Sequence, residues 1–304
     1  MPGYFKRRYR KHLGEVLSTI KLIDIEERFD IYFSRFYGLY FAKVGKWLQL
    51  TPTHVSLISL VIGVVGGSLF YYQDRLGIMI LGGSLVVWAG VLDSADGQLA
   101  RMTGQSSDMG RVIDGLIDNL VFIACYVGGS LYFVPEYGWW IFVLTAATGY
   151  AHSYKAALYE FYKSEYLLLV GKSQSGYIPL TVDEIKPTGH KWYHKIIDGI
   201  NRDYTGKQIR FTSRTVEVRK MMRELASSNS KSFDSLYSKL NFELLFWWAW
   251  LGGSNTHRNT AILFAIFGRF DLFLALSLIW TIGYLPLIRT QRKYDQKLLK
   301  ELTN

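Results

Sequence analysis

The sequence contains a single cysteine, Cys125, among 304 residues. One thiol cannot form a disulfide framework or a thiolate metal site within one chain, so Cys125 is expected to be a packing residue. A cleavable signal peptide is not expected either. The basic start YFKRRYRKH is followed by mixed sequence and not by a short apolar core with small residues after it.

The long apolar runs of the chain lack a polar face. VSLISLVIGVVGGSLFYY and LFLALSLIWTIGYLPLI show none of the polar stripe that a helix of a soluble protein needs. Hydrophobic residues make up 49% of the chain and aromatic residues 16%. Their runs reach the roughly 17 to 25 residues that cross a bilayer as a helix. The sequence therefore predicts an all-α integral membrane protein and argues against a soluble helical one.

Six transmembrane helices are predicted. Five lie at about residues 51–73, 77–97, 111–133, 138–158 and 271–289, and the sixth lies between 241 and 269, where a polar patch interrupts FELLFWWAWLGGSNTHRNTAILFAIFGRF. Before them, FDIYFSRFYGLYFAKVGKWL places apolar side chains close to one helical face and basic ones elsewhere. This pattern predicts an N-terminal amphipathic helix lying in the membrane interface.

These elements divide the chain into five predicted regions. They are a cytoplasmic start with the interfacial helix, the first four spans, a cytoplasmic insertion, the last two spans and a cytoplasmic tail, at residues 1–50, 51–158, 159–240, 241–290 and 291–304. The insertion is the only sizeable extramembrane piece that the apolar pattern leaves.

Basic residues predict the orientation in the membrane. They are frequent in YFKRRYRKH, in the segment 159–240 and in RTQRKYDQK, and FVPEYGWW between the third and fourth spans has none. Because Lys and Arg beside the spans stay in the cytoplasm, both termini and the insertion are expected there. The net charge of +10 then favours a bilayer surface and anionic substrates as partners. Nucleic acid is not expected, since the basic residues are not gathered on one domain.

Carboxylates interrupt the apolar pattern in VLDSADGQLARMTGQSSDMGRVIDGLIDNL, residues 91–120. Asp93 and Asp96 are three positions apart and Asp114 and Asp118 four, so each pair lies on one face of its helix. One pair ends the second span and the other begins the third. All four carboxylates are therefore expected to converge at the cytoplasmic mouth of a helical hairpin.

Four carboxylates at one membrane face require cations. Ion pairs between helices would need matching basic residues, and only two arginines are near, so a purely structural role is disfavoured. Hard oxygen ligands suit Mg²⁺ or Mn²⁺, and four can hold two ions, which together clamp a phosphoryl group. Gly97, Ala100 and Gly110 clear the same helix faces for a ligand, and Arg101 offers a guanidinium fork for a phosphate.

These residues resemble the signature of the CDP-alcohol phosphotransferase family at all eight of its specified positions. The match reads Asp93-x-x-Asp96-Gly97-x-x-Ala100-Arg101, eight residues, Gly110, three residues, Asp114, three residues, Asp118. The six spans, the interfacial helix and TPTHVSLISL at the start of the first span are also similar to the family. The family usually has Asn after that proline, and this chain has Thr53.

The resemblance implies an enzyme of phospholipid synthesis. Such enzymes transfer a phosphatidyl-type group from a CDP-alcohol, usually CDP-diacylglycerol, to an acceptor hydroxyl and release CMP. By position, the four aspartates would hold metal, and Asp118 would also be the general base. Asp93, Gly97, Ala100, Arg101 and Gly110 would line the CDP site. The resemblance also suggests a homodimer.

The acceptor is not fixed by the signature, and the family's acceptors include inositol phosphate, glycerol phosphate, serine, inositol and amino alcohols. Family members that take inositol phosphate hold its phosphate with basic residues at the end of the fourth span and the start of the fifth. His152, Lys155, His257 and Arg258 lie in comparable places. We therefore expect a polyol phosphate acceptor. The alternative is that these residues only anchor the spans at the lipid headgroups.

A divalent-cation transporter is the alternative of another class, because aspartates inside a membrane also mark ion pathways. A transporter is expected to place its site near the bilayer midplane, between repeated halves with broken helices. Here the aspartates lie at one membrane face, and the sequence contains no internal repeat. The glycines and the arginine of the motif would also have no role in transport.

Overall fold

A computed structural model of the chain describes residues 2–20, 22–105, 108–173, 176–187, 189–228 and 231–303. These residues form α-helices with a few short 3-10 and π-helical segments, the longest connection lies between Leu169 and Trp192, and no β-strand is found among them. The helices are α1 (Pro2–Ser18), α2 (Arg35–Trp47), α3 (Pro52–Ser68), α4 (Leu76–Thr103), α5 (Asp108–Leu131), α6 (Val134–Tyr137), α7 (Ile141–Leu169), α8 (Trp192–Phe211), α9 (Val216–Ser227), α10 (Lys231–Gly252), α11 (Ser254–Ile266), α12 (Phe270–Thr281) and α13 (Tyr284–Thr303). The all-α prediction is therefore confirmed for the described chain.

Four segments of the described chain are long and apolar enough to cross a membrane. They are Pro52–Tyr71, Leu76–Thr103, Ile113–Leu131 and Phe270–Glu301, which correspond to the predicted first, second, third and last spans. Their length and composition indicate an integral membrane protein.

The predicted spans at 138–158 and between 241 and 269 are not among these four segments. The first falls in α7, where His152 and Lys155 lower the mean hydropathy. The second is divided between α10 and α11, and α11, with 13 residues, is too short to cross a bilayer alone. A count of six spans therefore remains a prediction.

Glycines allow α3 to pack closely against both α4 and α5. A Cβ atom added at Gly66 would lie 2.9 Å from the carbonyl oxygen of Gly82 on α4. One added at Gly67 would lie 2.7 Å from the backbone nitrogen of Cys125 on α5. Small residues that let backbones approach are typical of helix contacts inside membranes. The α3 helix thus fixes the positions of the two helices that carry the aspartates.

A hydrophobic core lies beside this glycine contact. Its buried members include Phe70, Met79, Cys125, Phe270 and Phe273. The reduced thiol of Cys125 is buried in this core, as expected of a packing residue.

The α2 helix lies where the interfacial helix was predicted. A Cβ added at Gly38 would lie 3.2 Å from the backbone of both Val91 and Ala95, so α2 crosses α4 beside the first two aspartates. Tyr40 and Trp47 are exposed on α2, at 61% and 80%. The helix is therefore present, and its place in the membrane interface stays a prediction.

The chain divides into two compact units. The first unit comprises Met1–Gly149 and Arg258–Leu276, and the second comprises Tyr150–His257 and Ser277–Asn304. The second unit therefore contains the predicted insertion, the second part of α7, all of α10, the start of α11, the end of α12 and the C-terminal helix α13.

A buried ionic network joins the elements of the second unit. Glu165 accepts hydrogen bonds from Arg214 at 2.7 Å and Arg219 at 3.0 Å, and Arg214 also donates to Asp295 on α13 at 3.0 Å. Burial alone would raise the pKa of the Glu165 carboxyl, but the two arginines hold it below its usual value. Buried charges of this kind are tolerated only when each is paired, so the network specifies how the insertion attaches to α7 and α13.

The contact between α3 and α5 yields a first prediction. In Gly128→Ala the new methyl group would meet the backbone carbonyl of Gly67, which cannot move without displacing α3. We expect a destabilisation of about 1–3 kcal/mol, measured as a lower thermal midpoint of the purified protein in detergent. The matched control is Gly115→Ala on the same helix, where nothing lies within 4 Å of the new Cβ. The control should be neutral or stabilising, and equal midpoints for the two variants would contradict the packing described here.

Candidate active site

The structure brings the four predicted aspartates together in the first unit. Asp93 and Asp96 lie on α4, and Asp114 and Asp118 lie on α5. The carboxylate of Asp93 is close enough for its charge to act on those of the other three aspartates. Asp96 likewise interacts with Asp114 and Asp118. One cluster of negative charge therefore joins the ends of two helices.

The four carboxylates differ in how far they are withdrawn from solvent. Asp96 is buried, with 3% of its surface exposed, whereas Asp93 and Asp114 are half-buried and Asp118 is exposed. Asp118 therefore has the most surface open to a ligand. This order suits a reactant at Asp118 and a fixed binding role for Asp96.

Ser56 orients the most buried carboxylate. Its hydroxyl donates to Oδ2 of Asp96 at 2.6 Å, and the serine is itself buried. The start of α3 fixes this serine, because Thr51 caps the helix through the His54 amide at 3.3 Å and Pro52 occupies the first turn. From the sequence alone, TPTHVSLISL is recognised but Ser56 is given no role. Only its spacing of one helical turn from Pro52 could have indicated that Ser56 lies near the start of the helix.

Arg258 supplies a positive charge to the cluster. Its guanidinium lies against Gly90, one turn before Asp93 on α4, in the space where any side chain at that position would stand. The charge of Arg258 acts on both Asp93 and Asp118. Sequence reasoning had placed Arg258 at an acceptor site without recognising Gly90. A contact between residues so far apart in the chain leaves no local pattern to read.

Two other motif positions, Gly97 and Arg101, lie near Asp96. The Arg101 guanidinium lies over Gly97, where an added Cβ would be 3.5 Å from its Nη1 atom. This distance is ordinary van der Waals contact, so the arginine alone does not require a glycine here, and the expectation that Gly97 clears space for a ligand stays a prediction. Arg101 is exposed, and Ala100 and Gly110 are half-buried.

The chemistry of this cluster fits a divalent cation, although the side chains are not gathered as ready-made ligands. Among the described residues, no group of three or more His, Cys, Asp or Glu side chains is placed to hold a metal ion. The donors are nevertheless carboxylate oxygens, which Mg²⁺ and Mn²⁺ prefer, and they outnumber the nearby guanidinium groups. A cation would relieve the repulsion that the four charges impose on one another.

The remaining candidate acceptor residues belong to the second unit. The rings of His152 and His257 stack with their centroids 3.7 Å apart, and both residues are buried. Lys155 is buried as well, and its Nζ atom donates to the carbonyl oxygen of Ser277 at 3.1 Å and to its hydroxyl at 3.0 Å. Lys155 therefore has a structural bond to α12 in addition to any binding role.

Comparison with known proteins finds a family match for the part of the chain that carries the aspartates. Residues 49–162 match the family model described as CDP-alcohol phosphatidyltransferase. This stretch contains all eight motif positions, so the resemblance inferred from them is confirmed. No solved structure matches the chain.

Several curated proteins are similar over the same region. The chain is 31% identical over 115 residues to archaetidylinositol phosphate synthase of Pyrococcus horikoshii, which covers 37% of this chain and 58% of that protein. It is 39% identical over 69 residues, 23% of this chain and 15% of the relative, to a bifunctional IPC transferase and DIPP synthase of Rubrobacter xylanophilus. It is 41% identical over 68 residues, 22% of this chain and 31% of the relative, to a putative cardiolipin synthase of Mycobacterium bovis. The chain thus spans less than two thirds of each relative.

Proposed function

We propose that this chain, whose residues 49–162 match the CDP-alcohol phosphatidyltransferase family model, transfers a phosphatidyl-type group from a CDP-alcohol to an acceptor hydroxyl and releases CMP. CDP-diacylglycerol is the proposed donor, because the apolar helices around the site would leave its tails in the bilayer. The observation that carries the proposal is the convergence of Asp93, Asp96, Asp114 and Asp118 from two helices. Phosphoryl transfer requires stabilisation of the negative charge on the phosphates, and clustered carboxylates can hold the metal ions that provide it.

The reaction is a displacement at the phosphorus that bears the lipid alcohol. The acceptor oxygen forms a bond to this phosphorus, and the bond from the phosphorus to the bridging oxygen of CMP breaks. Asp118 accepts the proton of the acceptor hydroxyl, a role that suits its exposure. Arg101 binds a phosphate oxygen of the donor through its fork of N–H groups. The Arg258 charge lies beside Asp93 and Asp118 and offsets their mutual repulsion.

Mg²⁺ or Mn²⁺, with two ions per site, is the proposed cofactor. Asp93, Asp96 and Asp114 would hold metal, with Asp118 near the second ion. Bound metal would neutralise charge on the phosphates and on the departing CMP. The hydrogen bond from Ser56 fixes the Asp96 carboxylate in one orientation.

The proposed acceptor is inositol phosphate or another polyol phosphate. The name archaetidylinositol phosphate synthase, borne by the archaeal relative, supports this choice. The basic residues His152, Lys155, His257 and Arg258 also suit an anionic acceptor better than a cationic one. Serine, inositol and amino alcohols are the alternatives.

The proposal extends to the setting of the enzyme. Both termini and the active site would face the cytoplasm, with the interfacial helix on that side of the bilayer. The chain would be divided into a cytoplasmic start (1–50), the four spans with the catalytic motif (51–158), a cytoplasmic insertion (159–240), the last two spans (241–290) and a cytoplasmic tail (291–304). The enzyme would work as a homodimer. Cation transport is disfavoured, since a transport site is expected at the midplane and requires no base.

Asparagine substitutions test the roles of the four carboxylates. Asp93→Asn, Asp96→Asn and Asp114→Asn should each reduce CMP release to background, because each removes a charged ligand. Asp118→Asn should reduce turnover by about 10²–10⁴-fold while CDP-diacylglycerol binding is kept, because the base is lost and the other three aspartates still hold the first metal. The measurements are CMP release by purified protein with Mg²⁺ and an equilibrium binding assay with the lipid.

The matched control for this series is Asp74→Asn, since Asp74 is exposed, with 59% of its side chain accessible, and lies outside the cluster. This variant should behave as the wild-type protein. Full turnover in any of the three ligand variants would overturn the metal assignment. Normal turnover in Asp118→Asn would remove the base.

Substitution of the basic residues tests the acceptor. If the acceptor is a phosphate ester, Arg258→Gln and Lys155→Gln should raise its KM by about 10- to 100-fold, because each removes a charged hydrogen bond. The apparent affinity for CDP-diacylglycerol should be kept. Steady-state kinetics with inositol phosphate, glycerol phosphate, inositol and serine measure both constants.

Arg289→Gln is the control for this pair, since Arg289 is exposed on α13. Thermal unfolding should accompany the Lys155→Gln measurement, because this variant also loses the bonds to Ser277. A wild-type KM for phosphate esters in both variants would contradict the polyol phosphate assignment and favour serine or inositol.

A further inference from the structure

Arg35 begins α2 and is held by a carboxylate on the segment before it. Its Nε and Nη2 atoms donate to the two carboxylate oxygens of Glu26 at 3.1 and 2.7 Å. Only 5% of the Glu26 side chain and 20% of the Arg35 side chain are accessible. Because this is a bidentate pair, the guanidinium of Arg35 is fixed in direction as well as in place.

A buried amide attaches the same arginine to α4. Gln98 is fully buried, and its Nε2 atom donates to the carbonyl oxygen of Arg35 at 3.0 Å. Gln98 follows Gly97 directly and precedes Arg101 by three positions, which is about one helical turn. The first residue of α2 is thus tied to the part of α4 that carries the phosphate-binding arginine.

The charges of Arg35 and Arg101 are close enough to interact, and so are those of Glu26 and Asp96 with Arg101. The two guanidinium groups are therefore within electrostatic reach of each other, and the Gln98 bond places the first residue of α2 against the turn of α4 that precedes Arg101. The two positive charges repel one another, and the Glu26 carboxylate already forms an ion pair with Arg35. An anion that bridges the two arginines would remove this repulsion.

Both guanidinium groups keep N–H donors for such an anion. Glu26 occupies Nε and Nη2 of Arg35, and Nη1 makes no hydrogen bond to any residue that the structure describes. Arg101 is exposed, and it makes no hydrogen bond to the side chains described around it. The pair therefore offers one set of donors on each of two helices, as a diphosphate with two separate phosphate groups would require.

We propose that Arg35 is a second phosphate-binding residue of the CDP-alcohol site, where it binds the donor diphosphate together with Arg101. Glu26 is a positioning residue that fixes the guanidinium of Arg35 through two hydrogen bonds. This inference rests on the proposed function and adds a substrate contact from α2, outside residues 49–162. The α2 helix would then take part in recognition of the nucleotide donor in addition to lying beside α4.

A purely structural role predicts different behaviour. If the pair of Glu26 and Arg35 served only to attach the N-terminal segment to α2, loss of either partner would have the same effect. The chain offers a matched pair of that kind, because Lys43 on α2 pairs with Glu15 on α1 and both side chains are accessible, at 46% and 39%. Lys43→Gln therefore breaks a contact of the same segments away from the phosphate site.

The experiment measures binding of CDP-diacylglycerol in nanodiscs, and of soluble CDP in detergent, to wild-type protein and to Arg35→Gln, Arg35→Lys, Glu26→Gln and Lys43→Gln. Arg35→Gln should weaken both ligands by about 10- to 100-fold, because a charged hydrogen bond is lost. Arg35→Lys should recover part of this loss, since it keeps the charge without the fork. Glu26→Gln should weaken binding less than Arg35→Gln does, because the amide oxygen still accepts from Arg35 and the charge of Arg35 is kept. Lys43→Gln should match wild type.

Equal losses in Arg35→Gln and Glu26→Gln would overturn the proposal in favour of a structural role. Wild-type affinity in Arg35→Gln would overturn it as well. Thermal unfolding of each variant checks the fold, and Arg35→Lys and Glu26→Gln keep the test decisive if Arg35→Gln does not fold. A wild-type protein that binds no CDP-diacylglycerol and releases no CMP with any acceptor would instead remove the proposed function, and this inference with it.

Discussion

Repulsion among the carboxylates of Asp93, Asp96, Asp114 and Asp118 raises the free energy of the folded chain, most of all where protein or lipid replaces water. The first unit holds them together nevertheless, because α3 packs on α4 and α5 through backbone contacts that only glycine permits. The helices cannot move apart to relieve the repulsion without the loss of this packing. The stored unfavourable energy is available to stabilise a bound cation, which is how a site of this kind gains affinity for metal.

Arginines complete the balance of charge from different parts of the chain. Arg258 reaches the cluster from α11 and occupies the space left by Gly90. Arg101 lies over Gly97 on the same helix as two of the aspartates, and Arg35 is tied to that helix through Gln98. The arginine side chains thus lie near the carboxylates and beside the proposed phosphate site. Their positive charges would stabilise negative charge that develops on the phosphates during the proposed reaction.

The sequence predicted those features that depend on local spacing. The paired aspartates, the helix at the position of α2 and four of the apolar spans follow from periodicity that a few neighbouring residues define. The bond from Ser56 to Asp96 and the placement of Arg258 on Gly90 could not be predicted, because each joins residues on different helices. The network around Glu165 was missed for the same reason, since its partners come from α7, the insertion and α13.

The central claim is that the four carboxylates form one cation-binding site, and titration of the purified protein with Mn²⁺ followed by electron paramagnetic resonance tests it most directly. The account predicts saturable binding of two Mn²⁺ per chain in the presence of CDP-diacylglycerol. Displacement by Mg²⁺ and loss of the binding in Asp96→Asn should accompany it. The absence of saturable Mn²⁺ binding, with and without the lipid, would contradict the account.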